Sequence, residues 1–181
     1  MKFLNSDDAA RALLMQRGYA GFADAPEQIA RDVFLEAASA VETRLQAALR
    51  HGEAVGVETV LSTDKYRSLV EFVREQGGFV GLIYVALASP ELASIRVARR
   101  VRTGGHDVPV EKIHARWQRS LANLAWFATH ATVFWVFDNS DENPEVPPQL
   151  MAVGRRGTLE FVEASIGEAL RVSLSGLPRS D

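Results

Sequence analysis

The chain has 181 residues, 47% of them apolar and 24% charged, with a formal net charge of −3, the composition of one globular domain. It contains no cysteine, which excludes disulfides, thiolate metal sites and cysteine nucleophiles. The small acidic balance argues against a protein that binds nucleic acid or a membrane surface over its whole face, and leaves room only for a local basic patch.

Lys2–Asn5 is a short apolar piece at the start. SDDAARALLMQ reads as a helix, with Ser6 or Asp7 able to cap it and acids in its first turn matched to the helix dipole. Gly18–Pro26 is a loop. Pro26–Arg50 is a long helix with apolar residues at Ile29, Val33, Ala37, Val41, Leu45 and Leu49. Ala54–Leu61 is a short strand, and Thr63–Gln76 a helix stopped by Gly77-Gly78. FVGLIYVAL, Phe79–Leu87, is continuously apolar and reads as a buried parallel strand. Pro90–Arg102 and Val108–Thr129 are helices. Ala131–Phe137, ATVFWVF, is a second buried strand. DNSDENPEVPP is a polar loop, Met151–Val162 a hairpin around Arg155-Arg156-Gly157, and Ser165–Leu170 a last short helix.

This alternation predicts an α/β fold: a three-layer sandwich with a mostly parallel sheet in a single domain over residues 1–181. No apolar run approaches the roughly 18 residues of a bilayer span, and MKFLNSDDAA is too acidic for a signal peptide. A cytoplasmic protein is expected. Ligands in such folds bind at the carboxyl ends of the strands, which points to Asn5-Ser6-Asp7, Glu58–Ser62, Ser89 and Asp138-Asn139-Ser140.

The charge is unevenly spread. Between Arg96 and Arg119 lie seven cations and two acids. Arg96, Arg99 and Arg100 fall within one turn of one helix, and Arg116, Arg119 and Asn123 share a face of the next. Converging guanidiniums suit a phosphate, which accepts their planar fork bidentately. A solvated helix face is the plainer reading of the same residues, and a helix-turn-helix DNA reader is a third.

With its neighbours this segment resembles the zeta-toxin-like family of P-loop kinases. The family segment reads approximately L-x-S-P-E-L-A-x-x-R-V-A-x-R-V-x-x-G-G-H-x-V-P-x-x-x-I-x-x-R-x-x-R-S-L-x-N-L, and this chain has LASPELASIRVARRVRTGGHDVPVEKIHARWQRSLANL over residues 87–124. FLNSDDAA, VETVLST and FDNS resemble three further family blocks in the same order, so the likeness runs from Phe3 to Ser140. It implies a nucleotide-kinase-like P-loop NTPase fold and ATP- and Mg²⁺-dependent phosphorylation of a small polar metabolite. Zeta toxins proper phosphorylate UDP-N-acetylglucosamine. By the same resemblance Asp7 is the base for the acceptor hydroxyl, and Asn5, Glu58, Thr59 and His106 lie on the substrate side. Arg96, Arg100 and Arg116 are lid cations, and Arg119, Asp138, Asn139 and Ser140 lie near the nucleotide. Some family members are held inactive by an antitoxin protein that blocks the nucleotide site. Val60 departs from the family, which has a hydroxyl there. From the residues alone, a helix cap for Asp7, a strand-end charge for Glu58 and a turn for Asp138–Ser140 are sufficient roles.

The larger departure is the Walker A loop, G-x-x-x-x-G-K-[ST], which cradles phosphates and holds Mg²⁺. The three lysines, Lys2, Lys65 and Lys112, follow Met, Asp and Glu, and none follows a glycine. The family's first strand, phosphate loop and first helix have no counterpart before Phe3, so the expectation is a zeta-toxin-like kinase domain that is incomplete at its N-terminus and whose true start lies upstream. Without that central strand, Ala54–Leu61 and Phe79–Leu87 are left either with unpaired backbone edges or paired with each other. Such a chain is expected to show little or no kinase activity. The alternative is a degenerate member that acts as a nucleotide- or partner-binding module.

Overall fold

The computed structural model describes residues 2–103, 105–143 and 145–180, so Gly104 of the Gly-Gly turn and Pro144 of the polar loop lie outside the described residues. The chain divides into two compact units, residues 1–59 with 95–109, and residues 60–94 with 110–181.

The first unit contains strand β1 (Lys2–Leu4), helix α1 (Ser6–Gln16), helix α2 (Glu27–Arg50) and strand β2 (Val55–Val57). The two strands are parallel, with Leu4 opposite Val57. The two helices pack against each other. Their core is Ala10 and Leu14 from α1, Phe22 from the loop, and Ala30, Val33 and Ala37 from α2. Spacings of three and four residues put Ala30, Val33, Ala37, Val41 and Leu45 on one stripe, and the alanines allow close approach of the helix axes. The expected stripe is present, but Ala30 replaces Ile29 as its first buried member.

The second unit holds helix α3 (Arg67–Glu75), strand β3 (Gly81–Ala86), the start of helix α4 (Pro90–Arg102), helix α5 (Val110–His130), strands β4 (Val133–Asp138), β5 (Gln149–Arg155) and β6 (Thr158–Val162), and helix α6 (Glu168–Leu174). Its sheet has the order β3-β4-β5-β6. β3 and β4 are parallel, while β4–β5 and β5–β6 are antiparallel. The β5–β6 hairpin closes through Arg156 and Gly157, both at positive φ (48° and 78°), the geometry of a two-residue type I′ turn. One face of the sheet is dry: Tyr84, Phe134, Val136 and Ala152 are buried, as are Leu121, Leu124 and Phe127 of α5 and Leu170 and Leu174 of α6. Gly154 makes that packing possible, because a Cβ there would collide with the Phe134 ring and the Thr158 carbonyl.

Two expectations need correction. The pairing is mixed, not mostly parallel: beyond the expected β5–β6 hairpin, β5 also returns antiparallel to β4, because the loop joining them is too short for a crossover connection. Nor is β3 buried on both faces. Ile83 is 64% exposed and Val85 52%; their register partners on β4, Trp135 and Phe137, are half-buried, and further along the same rows Phe161 and Leu150 are exposed again. An unbroken apolar run does not distinguish a strand covered on two faces from one covered on one, because burial depends on which layers pack against it. The chain is therefore α/β, with open sheets of mixed pairing.

Candidate functional site

The sequence-predicted residues fall into two groups, each within one unit. In the first unit the parallel register of β1 and β2 brings their carboxyl ends together, and the Glu58 N–H donates to the Leu4 carbonyl at 3.1 Å. Asn5 follows β1 in extended conformation and caps α1, its Oδ1 accepting from the Asp7 N–H at 2.7 Å and the Asp8 N–H at 3.4 Å. Asn5, not Ser6 or Asp7, is thus the cap. The reason is the point at which the chain leaves β1: Ser6 is already helical, so only Asn5 has the extended backbone a cap requires. The Asn5 Nδ2 donates to Glu58 Oε2 at 2.7 Å. Asn5 therefore joins the helix start to the end of the neighbouring strand.

Relieved of capping, the Asp7 carboxylate lies in the first turn of α1 with an ion pair to Arg100, Nη1 to Oδ2 at 3.7 Å. Both side chains are about half exposed. The other terminal nitrogen of Arg100 donates to the His106 carbonyl at 3.2 Å. Arg96 stands one turn earlier on α4 and is half-buried, and Thr59 beside Glu58 is exposed. The arrangement is two carboxylates beside adjacent strand ends, one of them loosely faced by a guanidinium.

His106 is placed differently from a ligand-facing histidine. Its ring stacks on Phe34, with centroids 5.5 Å apart and planes 9° from parallel, and lies 5.3 Å from the Phe22 ring. The sequence reading missed both partners. Phe34 adjoins the buried α2 stripe next to Val33, which is a visible signal, but the packing of a turn against it is a tertiary fact.

In the second unit, Ser140 Oγ accepts from the Ala88 N–H at 2.7 Å and donates to Asp138 Oδ1. The Asn139 N–H donates to the Ala86 carbonyl at 2.9 Å. Asp138–Ser140 thereby fastens the segment after β3 to the end of β4. Ser89 accepts from the Leu92 N–H at the start of α4. Glu91 beside it is held below the usual carboxylate range, chiefly by a hydrogen bond from Ser89, then by its own backbone N–H and by the charge of His114. Arg119 Nε donates to the Ser62 carbonyl at 3.2 Å and Asn123 Nδ2 to the Leu61 carbonyl at 2.9 Å. Leu61 sits at φ 57°, a left-handed conformation rare for a non-glycine residue. Arg67 donates to Asn123 Oδ1 at 2.9 Å and lies over the Trp126 ring. The side chains of Arg119 and Asn123 thus hold a turn, a role the sequence did not disclose. Arg116 is half-buried on α5.

An open groove of about 540 Å³ between α5 and α6, lined by Trp117, Leu121, Ala122, Val172 and their neighbours, carries no titratable side chain. It offers no chemistry of its own. For a nucleotide triphosphate with Mg²⁺ the residues present do not fit. No lysine follows a glycine. Among the described residues no three of His, Asp and Glu converge as a metal site, and Asp138 is engaged by Ser140. Among the described residues no helix is long and apolar enough to cross a membrane. Scans against protein-family models, curated proteins and solved structures find no match.

Proposed function

We propose that this chain carries the acceptor side of a zeta-toxin-like small-molecule kinase site, and that the sequence as it stands does not turn over ATP. The observation that carries this reading is the cluster in the first unit. Asp7 stands at a helix N-terminus just past a parallel strand with its carboxylate not used as a cap, and a guanidinium faces it at 3.7 Å. Glu58 ends the neighbouring strand, tied to Asn5. A carboxylate in the first turn of a helix, left out of the cap, suits proton abstraction from an acceptor hydroxyl. A guanidinium beside it suits the phosphoryl oxygens. Glu58 suits the hydroxyls of a sugar nucleotide such as UDP-N-acetylglucosamine.

The second reading, a non-catalytic nucleotide- or partner-binding module, is favoured by the other group. Arg119 and Asp138 are satisfied within the protein by Ser62 and Ser140, as residues kept for structure would be.

Calorimetry with UDP-N-acetylglucosamine and with Mg²⁺–ATP, alongside an assay for ADP, tests this. Binding of the sugar nucleotide is expected, weakened about tenfold by Glu58→Gln through loss of charge-assisted hydrogen bonding, with no ADP formed. Absence of any sugar-nucleotide binding refutes the acceptor-site reading. ADP formation refutes the claim of inactivity.

A further inference from the structure

Arg100 is held in two very unequal ways. Its backbone is firmly anchored: the Arg100 carbonyl accepts from the Thr103 hydroxyl at 2.8 Å, the Gly105 N–H at 3.0 Å and the Thr103 N–H at 3.1 Å. Gly105 leaves room for the side chain, since a Cβ there would lie 2.6 Å from Arg100 Cγ. His106 then fixes the turn against Phe34 and Phe22. The guanidinium tip, by contrast, is loosely held. Its contact with Asp7, at 3.7 Å, is longer than a hydrogen bond, and the one with the His106 carbonyl is at the outer limit. Both partners of the ion pair are about half exposed, so solvent anions can reach it and the pair is weak.

We propose that Arg100 is an anion-displaceable latch on Asp7. Without ligand, the guanidinium is shared between the Asp7 carboxylate and the His106 carbonyl, and it covers part of the carboxylate. A phosphate group presents oxygens to both terminal nitrogens at once. That bidentate, charge-assisted geometry is stronger than a split, stretched pair, so the phosphate takes the tip and uncovers Asp7. The anchored backbone keeps the motion local to the side chain. The role of the uncovered carboxylate rests on the kinase reading above; the displacement itself does not.

The test is titration of inorganic pyrophosphate into the full chain by calorimetry, with the His106 ring protons followed by NMR. Asp7→Asn removes the competitor and is expected to tighten pyrophosphate binding about fivefold, the equivalent of about 1 kcal/mol for an exposed ion pair. Asp8→Asn removes the same charge one residue away from the latch, and should change affinity less than about twofold because an exposed charge is screened. Arg100→Gln should abolish the tightening. In the wild type, pyrophosphate should shift the His106 signals as its carbonyl loses the guanidinium. Equal effects of the two aspartate variants, unmoved His106 signals, or no pyrophosphate binding by any form would overturn the latch. The two ideas separate cleanly. Sugar-nucleotide binding without the Asp7 effect refutes the latch alone, and the Asp7 effect without sugar-nucleotide binding refutes the kinase reading alone.

Discussion

Asn5 and Glu58 are joined by a 2.7 Å hydrogen bond across the carboxyl ends of β1 and β2, while the other end of the same amide caps α1. One short side chain thus sets the start of a helix and the position of a carboxylate that is 53 residues away in the chain. The amide's orientation follows, because its oxygen must face the helix N–H groups and its nitrogen the carboxylate.

That double role separates three substitutions at Asn5. Asn5→Ser retains a capping oxygen and loses the bond to Glu58. Asn5→Asp retains the cap but sets two carboxylates against each other. Asn5→Ala loses both and should cost about 1–2 kcal/mol. Urea unfolding should rank serine least damaging and alanine or aspartate most. A serine variant as unstable as alanine would show that the cap is not what Asn5 supplies.

Gly154→Ala is expected to destabilise the second unit by about 3 kcal/mol, since the new Cβ meets the fully buried Phe134 ring and the Thr158 carbonyl. Pairing it with Phe134→Leu should recover part of the loss if the ring is the obstacle. The check is the urea midpoint of each single variant and of the pair.

Asn123→Ala should cost about 1–3 kcal/mol, because it strips the Leu61 carbonyl and the Arg67 guanidinium of a partner at once. Arg67 Nε is already buried without a hydrogen-bond partner, so further loss at that side chain is poorly tolerated. Amide exchange should quicken around Leu61 before it does in the β3–β6 sheet. Uniform quickening over both would count against a local clamp.

Tyr84 is buried and shares a 3.0 Å hydrogen bond with Ser120. Burial pushes its phenol above the ordinary value of 10.0, and the Ser120 bond draws it partly back. The unfolded chain therefore releases this proton at lower pH than the folded one. The stabilising contribution is complete below about pH 10 and falls as pH rises from there through the folded-state value. In a phenolate absorbance titration, one tyrosine should ionise after the rest. Tyr84→Phe should remove that late step, and Ser120→Ala should move it later still. A late step that survives Tyr84→Phe would refute the assignment.

Much of the local order is legible in the residues themselves. The α1 and α2 helices, the hairpin at Arg156-Gly157 and the placement of Asn5, Asp7 and Glu58 just past strand ends follow from apolar spacing and turn residues, which act over a few positions along the chain. What the tertiary structure decided has longer reach. It made Asn5 the cap, because that depends on where the chain leaves a strand whose partner is β2. It left Ile83 and Val85 exposed, because an apolar run does not state how many layers will cover it. It put His106 against the rings of Phe34 and Phe22 and Arg119 on a carbonyl, because a ring or a guanidinium takes the nearest surface that desolvates or satisfies it. It also split the arginine-rich segment between two compact units. Local chemistry is written in neighbouring residues, whereas burial and partnership depend on which distant segments come to rest beside them.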